Sequence, residues 1–146
     1  MASLQNTHIR KLNKTDFEIL KMFHVKHFQN YAISDQSLMA YLTQSQYQTY
    51  GMFHVKHLIG YVIFLICDYE ADIVYISTAP NFRRQGVASD LIRNFIEQNK
   101  ISQIFLEVST ENQTAISLYK TLGFKLVSIR KKYLHNIDSY LMVKKI

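Results

Sequence analysis

The spacing of apolar residues changes several times along this chain, and each change predicts an element. His8–Leu12 predicts a short strand. Thr15-Asp16-Phe17-Glu18 carries a capping-box pattern, in which Thr15 and Glu18 satisfy the first free amides of a helix running to about Phe28. A second helix follows Ser34, with Leu38, Met39 and Leu42 on one face. Tyr47–Phe53 and Leu58–Cys67 predict paired strands. The second is apolar at nearly every position, as expected of a strand covered on both faces, and Cys67 is expected to be buried there. Asp72–Thr78 predicts another strand. Beyond it the period becomes helical: Val87, Leu91, Ile92, Phe95 and Ile96 recur on one face turned toward the sheet. Ile104–Val108 is a strand, and Ala115, Leu118, Tyr119 and Leu122 form a helical face that Gly123 ends. Lys125–Lys132 and Ser139–Lys144 predict two closing strands. The expected order is β-α-α-β-β-β-α-β-α-β-β, an α/β chain in which a mixed sheet carries helices on its faces.

Composition narrows the class. A chain of 146 residues and 17.2 kDa, with no Pro/Gly/Ser-rich linker, is expected to form one domain over residues 1–146. A chain of this size buries roughly 68–70% of its unfolded surface and folds without a metal or disulfide staple. The lone Cys67 excludes an internal disulfide and a Cys-based zinc site, and suits a reducing compartment. Leu58–Cys67 is about half of the ~20 apolar residues that a membrane helix requires. Met1–Thr15 has no apolar core for a signal peptide. The expectation is a soluble cytoplasmic protein with no membrane partner. Net charge is 17 − 11 = +6. Such an excess favours phosphorylated cofactors, ribosomes or nucleic acid, or reflects a basic but ordinary surface. Its clusters, Arg83-Arg84, Arg130-Lys131-Lys132 and Lys144-Lys145, include no long basic run, so direct nucleic-acid binding is not expected.

The hexapeptide Met-Phe-His-Val-Lys-His occurs twice, at Met22–His27 and Met52–His57, with unmatched flanks. One copy falls in a predicted helix and the other across a predicted hairpin, so packing rather than propensity decides its conformation. Its histidine pairs lack a cysteine or carboxylate and make a weak metal-ligand set, and no metal is expected. The six residues can be encoded as ATGTTTCACGTGAAACAT, a palindrome similar to partition sites bound by chromosome-segregation proteins. We hypothesise that the repeat is a constraint on the gene; scrambled synonymous codons would end that reading.

Candidate chemistry concentrates at Arg83-Arg84-Gln85-Gly86-Val87-Ala88, between a strand and an amphipathic helix. A turn there leaves backbone amides unpaired at the positive end of a helix dipole, where a pyrophosphate is well held. Gly86 permits close backbone approach, Ala88 keeps the path narrow, and the arginines add charge. Neither a P-loop nor a GxGxxG motif is present.

The hexad fits the Gln/Arg-x-x-Gly-x-Gly/Ala signature of the GNAT acetyltransferase superfamily. Leu106-Glu107-Val108, Asn112, Ala115-Ile116-Ser117-Leu118-Tyr119 and Leu122-Gly123-Phe124 follow it. Over about Ile73–Tyr133 this series resembles the RimI-type ribosomal-protein alanine N-acetyltransferases. The resemblance implies that Ile76, Ser77 and Thr78 pair with the pantetheine arm of acetyl-CoA. Arg84, Gln85, Gly86, Val87, Ala88 and Ser89 would hold its pyrophosphate, and Asn112 would bond the cofactor near the thioester. Glu107 matches the family's general base and Tyr119 its general acid. The implied acceptor is a protein N-terminus, the alanine of a small-subunit ribosomal protein.

Acid–base chemistry agrees with that acceptor. An amine attacks a thioester only when neutral. An α-amine of pKa near 8 is roughly a tenth neutral at pH 7, and preparing it costs about 3 kcal/mol less than preparing a lysine. Glu107 would take the proton directly or through a water, and Tyr119 would donate toward the departing sulfur. Glu107 as a plain surface carboxylate and Tyr119 as a core aromatic are the competing structural readings. The chain departs from the family on the acceptor side. Ala32-Ile33-Ser34 stands where a Pro-Trp pair is usual, Tyr133-Leu134 replaces paired tyrosines, and the loop His135-Asn136-Ile137 is short. The alternatives are an enzyme acetylating a small amine, polyamine or lysine side chain, and a catalytically silent acyl-CoA-binding or ribosome-associated module. Retention of Glu107 and Tyr119 argues against the silent module.

Overall fold

The apolar run after His57 becomes the centre of the sheet. In the computed structural model, which describes residues 4–27, 33–134 and 136–146 (the side chains of Tyr133 and Leu134 excepted), Ile59–Phe64 are all buried. Seven strands and four α-helices occur among the described residues: β1 Thr7–Lys11, α1 Phe17–His27, α2 Asp35–Thr43, β2 Tyr47–His54, β3 His57–Cys67, β4 Glu70–Thr78, α3 Val87–Gln98, β5 Gln103–Ser109, α4 Gln113–Thr121, β6 Lys125–Leu134 and β7 Ile137–Lys145. This is the expected order, and the hydrogen-bonding sequence of the sheet is β1-β2-β3-β4-β5-β7-β6. The expected positions Phe28, Ala32 and His135 lie outside the described residues.

The chain forms two units, one of Met1–Leu65 with Val74–Asn99 and one of Ile66–Ile73 with Lys100–Ile146. In the first, β1 and β2 pair antiparallel, as do β2 and β3. Leu20, Phe23, Leu38 and Leu42 of α1 and α2 pack with Phe53, Tyr61 and Ile63 of the strands. Val87, Leu91, Ile92 and Phe95 form the buried stripe of α3, and Phe95 stacks on Phe64 at 3.6 Å between ring centroids. Each such side chain contributes about 1.5–3 kcal/mol by leaving water. In the second unit, Glu70–Asp72 pair in parallel with Gln103–Phe105, and β7 lies antiparallel to both β5 and β6.

Four local expectations shift. Asn13, not Thr15, is the first cap: its side chain accepts from Thr15 N–H, while Asp16 rather than Glu18 accepts from Asn13 N–H, both at 2.9 Å. The capped element is a 3₁₀ turn, Lys14–Asp16, that leads into α1. Arg10 selects that register by gripping the Asp16 carboxylate at 2.7 and 2.9 Å, a partner that no local pattern shows. Met39 is 39% exposed while Leu38 and Leu42 are buried, because the covered face of α2 is narrower than the apolar stripe. On α4 the buried residues are Ile116 and Tyr119, with Ala115, Leu118 and Leu122 only half-buried. Cys67 is exposed: coverage of β3 fades past Phe64, and Cys67 is its final residue. The two hexapeptides do take opposite conformations, helix at Met22–His27 and strand–turn–strand at Met52–His57.

Candidate functional site

In the first unit, β4 delivers the chain to the arginine–glycine turn. Ile76, Ser77 and Thr78 are half-buried, and Ala79 N–H bonds the Ile59 carbonyl at 2.8 Å. Pro80–Phe82 makes one 3₁₀ turn. Arg83 Nε then reaches the Thr78 carbonyl at 3.5 Å, and Gln85 Nε2 donates to the Asn81 carbonyl at 3.2 Å. These bonds fold the loop back on the strand end and bring Ile76–Thr78 and Arg84–Ser89 into one local arrangement. Gly60 on β3 makes room, since a Cβ there would lie 2.6 Å from Val87 Cγ1 and 3.0 Å from the Ser77 carbonyl.

Arg84 and Gly86 both adopt left-handed backbone, with φ of 62° and 85°. Gly86 caps α3 without a side-chain acceptor, and the first bond of the helix is Asp90 N–H to the Gly86 carbonyl at 2.9 Å. A helix start with no capping side chain presents its first amides to an anion. A Cβ on Gly86 would meet nothing within 4 Å. The amides at the start of α3 are thus without a side-chain cap, with exposed Arg84 beside them, an arrangement that could hold a pyrophosphate.

In the second unit, the other expected residues lie along β5 and α4. Glu107 is 22% exposed and held at both oxygens: Arg130 Nη1 lies 3.1 Å from Oε1, and Ser139 Oγ donates to Oε2 at 3.2 Å. Arg130 and Ser139 are themselves register partners across β6 and β7. Asp72, the third residue of β4, is held above the ordinary carboxylate range by partial desolvation and by the charges of Glu70 and Glu107. In the sequence Arg130 belongs to a basic run, and Ser139 and Asp72 carry no motif; strand register alone brings them to Glu107.

Asn112 is the N-cap of α4, its side-chain oxygen accepting from Ala115 N–H at 3.2 Å. The two N–H donors of that amide take no part in the cap. One turn from the other end of α4, Tyr119 is buried, and burial pushes its hydroxyl up to about 12. Its placement comes from the helix stop. Gly123, at φ 93°, donates to the Lys120 carbonyl, and Phe124 N–H donates to the Tyr119 carbonyl at 2.9 Å. The same motif sets the Phe124 ring edge-on to Tyr119 at 5.7 Å.

Among the described residues, no group of three or more His, Cys, Asp or Glu is placed to hold a metal ion. No helix of the described residues is long and apolar enough to cross a membrane.

Comparison with known proteins gives similarities of three kinds, to curated relatives, to solved structures and to a family model. The chain is 35% identical over 72 residues to the ribosomal protein bS18-alanine N-acetyltransferase of Escherichia coli K12, covering 47% of this chain and 49% of that one. The chain spans about half or less of the length of the curated relatives it matches. The crystal structure of the Escherichia coli ribosomal-protein-S18-alanine N-acetyltransferase has the same fold, with a TM-score of 0.86 at 22% identity over 96% of this chain and 94% of that one. So has Arabidopsis thaliana NAA60 in complex with acetyl-CoA, with a TM-score of 0.83 at 20% identity over 96% and 98%. A model described as the acetyltransferase (GNAT) family matches residues 8–124, the stretch that runs from β1 through the arginine–glycine turn to the Gly123 stop, and the chain belongs to that family.

Proposed function

We propose that this protein transfers the acetyl group of acetyl-CoA to the α-amine of a protein N-terminus, with the N-terminal alanine of a small-subunit ribosomal protein as acceptor, in the cytoplasm. The observation that carries the reading is the start of α3, where Gly86 leaves the first amides without a side-chain cap beside exposed Arg84, an arrangement that suits a diphosphate. The acceptor class is supported by the named activity of the relative and by the lower cost of a neutral α-amine.

In this reading the α-amine nitrogen attacks the thioester carbon, its proton passes to Glu107, and the carbon–sulfur bond breaks with the electron pair leaving on sulfur. Arg130 and Ser139 hold the Glu107 carboxylate in one orientation, the condition a general base requires. Tyr119 narrows the general-acid role. A thiol titrates near ~8.5, well below a phenol at about 12, so the Tyr119 hydroxyl serves by hydrogen-bonding the sulfur as charge develops rather than by surrendering its proton. Asn112 adds amide donors at the head of α4.

The test is mass spectrometry of peptides incubated with purified protein and acetyl-CoA. One peptide has a free N-terminal alanine followed by a ribosomal-protein sequence; another has a blocked terminus and internal lysines. A gain of one acetyl group on the alanine terminus is expected. Preference for the blocked lysine peptide would replace the acceptor, and failure to bind acetyl-CoA calorimetrically would remove the activity.

A further inference from the structure

The two copies of the repeated hexapeptide, unrelated in conformation, line one cavity in the first unit. Met22 and Lys26 of the helical copy face it, as do His54, Lys56 and His57 of the hairpin copy, and the Ala79–Phe82 segment completes its wall. Its volume is about 800 Å³. That lies within the range of ~300–1,000 Å³ typical of small-molecule sites.

Charge and shape restrict the ligand. Lys26 and Lys56 are both exposed cations, and Glu18 is the only carboxylate among the described lining residues. His27 is held below the ordinary histidine range by burial and by the positive charges of Lys26 and Arg83, so the field on this side of α1 is positive. The floor is apolar and aromatic, and the rings of His54 and Phe82 lie 5.6 Å apart at 49°. A compact ammonium binds phosphate as a point charge, and an aromatic wall accepts a planar base.

We propose that this cavity is a second ligand site, one that takes a nucleoside diphosphate, with Lys26 and Lys56 on the phosphates and Phe82 and His54 against the base. The wall segment Ala79–Phe82 runs without a break into Arg83 and the turn before α3. The site is separate from the one proposed for acetyl-CoA, and its test does not depend on turnover.

ADP is titrated calorimetrically into the full chain, alone and with saturating acetyl-CoA. ADP binding that persists with acetyl-CoA present is expected, weakened about tenfold or more in a Lys26→Glu/Lys56→Glu variant that melts normally and binds acetyl-CoA as before. Phe82→Leu should weaken ADP but not inorganic pyrophosphate. Complete displacement of ADP by acetyl-CoA would assign all binding to the cofactor turn and overturn the proposal. So would equal affinity for ADP in the charge-reversed variant, equal binding of pyrophosphate and ADP, or binding of an acidic peptide where ADP does not bind. Absence of acetyl-CoA binding, with ADP still bound, would defeat the proposed function and leave this site standing.

Discussion

Arg130 on β6 spans the intervening strand β7 to set its guanidinium 3.1 Å from the Glu107 carboxylate on β5. The strand it crosses contributes the second partner, since Ser139 of β7 is both the register mate of Arg130 and a donor to the other Glu107 oxygen. A carboxylate half-exposed and free to rotate would spend little time in one attacking geometry; one held at both oxygens is oriented before an amine arrives.

Glu107→Gln should therefore lower kcat by about 10²–10⁴-fold, the range for a lost general base, with little change in acetyl-CoA affinity. Arg130→Met should lower kcat by roughly tenfold while the KM for acetyl-CoA stays put, and Arg130→Lys should restore part of the loss. Steady-state kinetics beside calorimetric binding separate these effects; full activity in Glu107→Gln removes it as base.

Gly86→Ala addresses conformation rather than space. The added methyl meets open volume, but a φ of 85° strains any residue with a Cβ by about 1–2 kcal/mol. The variant should fold with a melting temperature lowered by a few degrees and bind acetyl-CoA about tenfold more weakly, because relief of that strain shifts the amides at the start of α3. Unaltered affinity in calorimetry would show that the turn does not hold the diphosphate.

Tyr119→Phe removes one hydroxyl and keeps the ring edge-on to Phe124. Stability should change by no more than about 1 kcal/mol, whereas turnover should fall by tenfold or more. A thermal melt run beside a single-turnover assay distinguishes a purely structural tyrosine, for which turnover does not move, from one that assists the leaving sulfur.

His24 provides a pH signature. It is buried on α1 and hydrogen-bonded to the Tyr61 hydroxyl, and burial holds it below the ordinary value of 6.5. Its folded pKa is depressed, so its contribution is present above pH 6.5 and is lost as the pH falls toward the folded value, the unfolded chain taking up the proton first. His24→Gln keeps a hydrogen-bonding group without the titration. It should be somewhat less stable near neutrality, yet lose less stability between about pH 7 and pH 5 than the parent does. Equal slopes of melting temperature against pH in both proteins would contradict this.

Much of the site could be read in one dimension because its parts are local. The Gly86 turn and the Gly123 stop depend on residues within a few positions of one another. Where a local pattern met a distant partner, the partner decided. Thr15 and Glu18 are sound capping residues, but Arg10 draws Asp16 into the cap and starts the turn earlier. Cys67 continues an apolar run that ends beyond its cover.

The order of elements, the arginine–glycine turn before α3 and the presence of Glu107 and Tyr119 were determined by the linear chain, since hydrophobic period and turn chemistry act between neighbours. Only folding decided which residues grip Glu107, and that two identical hexapeptides in unlike conformations share a cavity. Both are settled by strand register and by the face each helix turns inward, and those depend on which distant surfaces fit together, a quantity no short stretch of sequence contains.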